Sequence, residues 1–280
     1  MIQHHWKESG TAATPRVTMI MLCLALLAPP ALAGQRVFHS TQSANLPTTE
    51  TLRGGNWLFE ISHRFSPRIS EGVGALWGLD GPVYNRFGLS FAPADGLLLS
   101  VIRSNLDDNL EFNAKGRFHE GAIGTSRLAI AAMGGAAWNM DVVPVDGATD
   151  NEFQGYVQLI ADVLTLDERV AIGVAPAWIH NPRLRDLETF SAVAVGLHGQ
   201  WYLTAAMSLL GEWIFSEEIA DTPHDSGTFG IELETRGHFF KIVVTNQDRM
   251  QPTQFLAGSR HAFTWDELRL GFNLTRVLPF

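Results

Sequence analysis

Glu267-Leu268-Arg269-Leu270-Gly271-Phe272-Asn273-Leu274-Thr275-Arg276-Val277-Leu278-Pro279-Phe280 is the stretch that decides the fold class. Leu268, Leu270, Phe272 and Leu274 fall on one face; Glu267, Arg269, Asn273 and Thr275 fall on the other. Strict alternation of this kind belongs to a strand with two different environments on its two faces. Counting back by twos from Phe280 gives Leu278 and then Leu274, Phe272 and Leu270, with Arg276 interrupting the row. An arginine near the rim of a membrane can snorkel into the headgroups. Pro279 has no N–H to give a ladder, so pairing should stop before it. An amphipathic strand ending on an aromatic residue is the form of the last strand of a transmembrane β-barrel.

The other end of the chain agrees. Lys7 and Arg16 precede the apolar run Val17 to Leu27, followed by Ala31-Leu32-Ala33. A basic region, an apolar core and a small-x-small site read as a secretory signal, with cleavage expected after Ala33. The run is short for a spanning helix, which needs ~20 apolar residues, and Pro29-Pro30 interrupts it. Cys23, the only cysteine, lies in this leader, so the remaining chain is expected to hold neither disulfides nor thiolate metal sites. The formal charge is −9. That acidity argues against nucleic-acid binding. Beyond the leader no apolar run approaches ~18 residues, although hydrophobic residues are abundant.

Period-2 alternation recurs along the chain. Leu110 to His119 is the cleanest case: Leu110, Phe112, Ala114, Gly116 and Phe118 oppose Glu111, Asn113, Lys115, Arg117 and His119. Similar strands are expected at 57–65, 83–91, 153–163, 203–215 and 268–275. Weaker candidates lie at 97–104, 127–138, 170–178, 192–200, 228–236 and 239–246. The sum is an all-β antiparallel transmembrane barrel of about twelve strands over residues 57–280. Residues 34–56 are polar and irregular. They are expected in the periplasm, either hanging free or folded into the barrel mouth.

Loop lengths and tryptophans supply independent tests. With the N-terminus in the periplasm, inner connections such as 92–96 and 236–238 are short, and outer ones such as 66–82 and 247–264 are long. That parity belongs to outer-membrane barrels. Trp57 and Trp201 fall at inner strand ends, Trp138, Trp178, Trp213 and Trp265 at outer ones. With Phe280 they form the expected interfacial girdles.

At Ile61-Ser62-His63-Arg64-Phe65 and Gly78-Leu79-Asp80-Gly81 the chain resembles an uncharacterised family (a domain of unknown function) of predicted bacterial outer-membrane β-barrels with an I-S-H-R-F strand and a G-L-D-G loop. Ser40 to Asn45 sits where that family has a polar segment. The resemblance covers most of the chain after the leader. It implies a barrel in the bacterial outer membrane and singles out His63, Arg64, Gly78, Leu79 and Asp80. It implies no activity.

Candidate functional residues are those expected to face the lumen: Glu60, Arg64, Arg86, Glu111, Lys115, Arg117 and Arg269. Arg64 and Glu60, with Arg86 on the next strand, would form a charged lumen cluster that binds an anion or narrows a pore, and Lys115 and Arg117 could join Arg86 and Arg269 in a basic stripe. The plainer alternative is that these charges pair across strands and fill a small barrel, since lumen residues are commonly polar. Glu212, Glu232 and Glu234 should share the lumen, which favours internal pairing. His63 falls on the opposite, lipid-side face from Ser62. A hydrolytic trio of Ser66, His63 and Asp80 can be drawn on paper but lacks any hydrolase signature around it. Acidic loop clusters at Asp107-Asp108, at Asp141, Asp146 and Asp150, and around Glu217 lack calcium-loop spacing. The histidines lack metal-ligand spacing. No catalytic residue, metal or cofactor is therefore assigned.

Three functions are carried forward. The first is a non-enzymatic pore or small-ligand-binding barrel. The second is a structural or partner-binding barrel acting through loops Ser66–Pro82 and Gln247–Thr264. The third is a lipid-modifying enzyme. Expected partners are outer-membrane lipid, the barrel assembly machinery through the C-terminal strand, and a small polar ligand. A soluble secreted β-sandwich or lipocalin-like binder is the structural alternative.

Overall fold

A computed structural model describes residues 36–142, 152–184, 188–235 and 237–279. The leader, Phe280, Asp146 and Asp150 lie outside the described residues. Among those described, twelve strands close into a single antiparallel barrel. They are β1 (Trp57–Arg68), β2 (Val83–Ala94), β3 (Leu97–Ser104), β4 (Asn109–Ile123), β5 (Ser126–Asn139), β6 (Phe153–Thr165), β7 (Val170–His180), β8 (Ser191–Tyr202), β9 (Met207–Ser216), β10 (Ser226–Thr235), β11 (His238–Thr245) and β12 (Arg269–Leu278). Each strand pairs with its sequence neighbours, and β12 returns to β1 with Trp57 opposite Leu278 and Ser62 opposite Asn273. Closure leaves no sheet edge, so the ladder meets its own hydrogen bonds where water is absent.

The two faces separate cleanly. On β1, Leu58, Glu60, Ser62 and Arg64 are buried, while Phe59 is exposed on the outside. Phe87, Phe112, Leu159 and Ile172 stand outward in the same way. Exposed apolar residues over the whole outer wall are unfavourable in water and favourable against lipid tails.

The connections alternate in length, except that the outer one at 105–108 is short. Those at 95–96, 124–125 and 166–169 are tight, whereas those at 69–82 and 246–268 are long. One expected boundary moves. Strand β9 was expected from Leu203, but residues 203–206 form the turn and β8 continues to Tyr202. The N–H groups of Leu203 and Thr204 both donate to the Met207 carbonyl, which closes that turn. Alternation cannot reveal this, because Tyr202 and Leu203 fit either strand.

The lumen is filled from both ends. Residues 37–52 run inside the wall, with Val37, Phe38, Leu46, Thr48 and Thr49 at 1% exposure or less. The polar N-terminal segment therefore does not hang free in the periplasm. Its centre is a small hairpin: Thr48 N–H donates to Thr41 O and Ser43 N–H to Leu46 O. From the other end the long β11–β12 connection turns inward and carries the short helix α1 (Pro252–Phe255), whose residues are all buried. Leu46 of the segment and Phe255 and Leu256 of the loop join one apolar cluster with Tyr156, Ile160, Ile179 and Ile214 of the wall. Leu46 is admitted by Gly196 on β8, where an added Cβ would stand 2.5 Å from a Leu46 methyl carbon.

Candidate functional site

The lumen wall meets the segment through charged side chains that grip its main chain. Glu212 on β9 is the principal acceptor. Its carboxylate receives the N–H groups of Ala44 at 3.1 Å, Asn45 at 2.9 Å and Leu46 at 3.1 Å, and the Asn45 side-chain amide at 2.6 Å. Consecutive N–H groups at a tight turn form a concave anion site, here occupied by a carboxylate of the same chain. Asp162 on β6 takes the Thr49 N–H at 2.6 Å and its hydroxyl at 2.9 Å.

Cations take the carbonyls. Lys115 on β4 donates to Thr41 O at 2.7 Å and Thr48 O at 2.9 Å. Lys241 on β11 donates to Gln42 O at 2.6 Å, Ser43 O at 2.7 Å and the Ser40 hydroxyl at 2.9 Å, and it pairs with Glu232 at 3.1 Å. Arg64, fully buried, donates to Asn45 Oδ1 and to Asn273 Oδ1, each at 2.8 Å. These contacts are charge-assisted and desolvated, the class of hydrogen bond with the largest individual strength.

The remaining expected lumen residues lie around this core. Glu60 pairs with Arg86 at 3.2 Å and accepts the Gln42 amide at 2.9 Å and the Ser62 hydroxyl at 2.6 Å. Glu111 accepts the Tyr156 hydroxyl at 2.8 Å and the Asn113 amide at 2.9 Å. Arg117 sits between Glu50 at 3.4 Å and Glu120 at 3.3 Å. Arg269 lies apart at the outer rim, donating to Ser66 O and Glu267 O. The basic stripe drawn from the sequence is therefore not formed. Arg86 and Arg117 pair with acids, Lys115 donates to carbonyls, and Arg269 belongs to the rim. The acid at Glu50 comes from the segment, and its carboxyl is raised by burial, against the opposing pull of Arg117.

A buried pair was not foreseen. His198 Nε2 lies 3.0 Å from Asp162 Oδ1, both side chains wholly buried. Gly173 on the intervening strand lets them meet, because a Cβ there would come within 2.1 Å of Asp162 Oδ1. Lys241, the most heavily engaged cation, was also missed. Its strand alternates only weakly in sequence, and its one signal is a lysine among Phe239, Phe240, Ile242, Val243 and Val244.

The motif residues separate into two places. Arg64 enters the lumen, whereas His63 faces out with its ring against Phe272 at 4.4 Å. The Gly78-Leu79-Asp80 turn folds on itself, Leu79 N–H donating to Leu76 O and Asp80 N–H to Ala75 O. Ser62, adjacent to His63, points into the barrel and donates to Glu60. The Ser66, His63 and Asp80 trio is thus not assembled around the histidine ring. Trp138, Trp178, Trp201 and Trp265 are exposed, Trp57 lies against Phe91, and Trp213 packs on Phe263. Beside the segment remains a cavity of about 40 Å³ lined by Gln42, Glu60, Arg86, Asn113 and Lys115 among others. That is room for water, far below the ~300 Å³ at which small-molecule pockets begin.

Comparison with known proteins adds the following. No curated protein matches the chain. Among solved structures, an outer membrane channel from Pseudomonas putida F1 is 13% identical with a TM-score of 0.49, over 82% of this chain and 98% of that one. The NanC porin is 7% identical with a TM-score of 0.47, over 80% and 99%. Outer membrane phospholipase A from Escherichia coli is 11% identical with a TM-score of 0.37, over 81% and 90%. The family model described as "Membrane bound beta barrel domain (DUF5777)" matches residues 38–278, a span that takes in the inward-folded segment as well as all twelve strands. The chain belongs to that membrane-bound β-barrel family.

Proposed function

We propose that this chain is a non-enzymatic barrel of the bacterial outer membrane whose polar lumen gives passage to, or holds, a small polar ligand. In the state seen here the lumen is closed by residues 37–52 from one end and by the 246–259 loop from the other. The observation that carries this reading is the chemistry of the wall: Glu212, Asp162, Lys115 and Lys241, from four strands, all hold a separate piece of chain. Buried charges are a poor route to stability, since well-packed apolar residues serve as well or better. A polar interior is what a passage through lipid requires. The last strand, β12, is proposed to be the element recognised by the barrel assembly machinery.

A second reading, partner binding through outer loops, is favoured by one feature. Val73, Leu76, Trp77 and Leu79 of the 69–82 loop are exposed. The other loop named from the sequence, Gln247–Thr264, is mostly turned inward, its residues 250–259 being buried, so it offers little contact surface.

Single-channel conductance in planar bilayers tests the first reading, with heat-modifiable gel mobility as the folding control. The full chain should be largely silent. Leu46→Asp places a charge in an apolar cluster beside Glu212, which the segment avoids by leaving the lumen. Steady conductance steps are expected from that variant once residues 247–264 are also replaced by a short turn, since the inward-folded loop closes the other end. If Leu46→Asp and Gly196→Val, each with the loop replaced, fold and stay silent, the lumen is not a passage.

A further inference from the structure

The lumen charges that hold the segment are Glu212, Asp162, Lys115, Lys241 and Arg64. With the segment withdrawn, Glu212 loses all four of its donors and Lys115 loses both of its acceptors. Asp162 would keep His198, Arg64 would keep Asn273, and Lys241 would keep Glu232 while losing three acceptors. The vacated surface therefore presents two acids and three cationic side chains to whatever enters. An anion meets Glu212 and Asp162; a cation meets Lys115, Lys241 and Arg64. An uncharged molecule carrying both N–H or O–H donors and carbonyl-type acceptors can serve both kinds.

The occupant seen in the structure is of this kind. Ser40 to Thr49 contains no ionisable side chain. It is held chiefly through its main chain: consecutive N–H groups at Glu212, and carbonyls at Lys115 and Lys241. Main-chain recognition tolerates changes of side chain, as in other sites that read an extended peptide by its backbone. Resting on the passage reading above, we propose that the ligand class of this lumen is a short uncharged peptide, bound in place of residues 40–49 by Glu212, Asp162, Lys115 and Lys241. The tethered segment competes at high effective concentration, so a free peptide binds only after the segment has been displaced.

The test uses the chain carrying Leu46→Asp and the same replacement of residues 247–264 in planar bilayers, with capped peptides as blockers. The probes are a Ser40–Thr49 peptide, a neutral Ser/Thr/Asn peptide of the same length and unrelated order, the first peptide with Gln42→Glu or Gln42→Lys, and a neutral oligosaccharide. Both neutral peptides should block, at concentrations about tenfold lower than either charged peptide. Adding Glu212→Gln should weaken the neutral block by a similar factor. Block by the Ser40–Thr49 peptide alone would mean a private socket for the segment and would overturn the ligand class. Equal block by charged peptides, or stronger block by the oligosaccharide, would overturn it too. Conductance without any peptide block sinks this inference and leaves the passage reading intact, whereas a folded, silent barrel sinks the passage reading. Gly196→Val serves in the same assay if Leu46→Asp does not fold.

Discussion

Glu212 holds Asn45 twice, through the main-chain N–H at 2.9 Å and the side-chain amide at 2.6 Å, although 167 positions separate them in sequence. A carboxylate 3% exposed on β9 thereby finds its donors in residues that belong to no strand. The segment and the wall are each incomplete alone: the wall lacks donors for Glu212 and acceptors for Lys115, and the segment lacks a fold.

Removing that acceptor should free the segment without unfolding the barrel wall. Glu212→Ala strands the N–H groups of residues 44–46, at a cost of about 2–4 kcal/mol to docking. Hydrogen exchange at Ala44, Asn45 and Leu46 should rise well above that of the β1–β12 ladder. Unchanged protection at those three amides would mean that the apolar packing of Leu46 alone holds the segment.

Lys241 is expected to be the most sensitive cation. Lys241→Met deletes three contacts to the segment and leaves Glu232 buried beside an apolar side chain. Breaking a buried pair from one side typically costs about 3–5 kcal/mol. The denaturant midpoint should fall accordingly, and the double variant with Glu232→Gln should recover part of the loss. A double variant no better than the single one would show that the segment contacts, not the stranded carboxylate, carry the effect.

Gly196 and Gly199 lie on the same strand with opposite expectations. A side chain at Gly196 strikes Leu46, whereas a Cβ at Gly199 comes no closer than 3.4 Å to the Ala171 carbonyl oxygen. Gly196→Val should make residues 40–50 accessible to protease in the folded barrel. Gly199→Ala should leave them protected. Equal cleavage of the two would refute the steric account.

The outer loop should loosen in acid. Burial pushes the Asp248 carboxyl up, but the hydrogen bond and charge of His261, with Arg249 and Arg260, outweigh it and hold the group below the ordinary aspartate range. A depressed carboxyl stabilises the folded loop above its unfolded value and loses that contribution as pH falls through the folded one. Protection at residues 246–259, taken relative to the intrinsic exchange rate at each pH, should therefore be high at about pH 6 and lower below about pH 3. The Asp248→Asn variant should show low protection at both.

Much of the architecture was legible in the chain. Leu110 to Arg117 announced β4 because side chains of a strand alternate strictly, and lipid on one side with a polar lumen on the other stamps that alternation into the sequence. The expected alternation fails at Phe118, where a bulge leaves His119 exposed instead of on the lumen face. The same logic placed Glu60, Arg64, Glu111 and Lys115 inward. Strand ends were less legible: the turn at 203–206 depends on two N–H groups sharing the Met207 carbonyl, and main-chain donors leave no trace in composition.

What the sequence by itself determined is therefore the wall: its period, its two faces, the parity of its loops and its closure. What the lumen contains was decided only in three dimensions. Residues 40–49 read as an irregular polar stretch because they have no period and no charge of their own. Their fit depends on Glu212, Asp162, Lys115 and Lys241, carried by four different strands, and on the gap left at Gly196. Alternation reports which way a side chain points. It cannot report which distant segment completes its hydrogen bonds, because that choice is made by geometry between elements and not within any one of them.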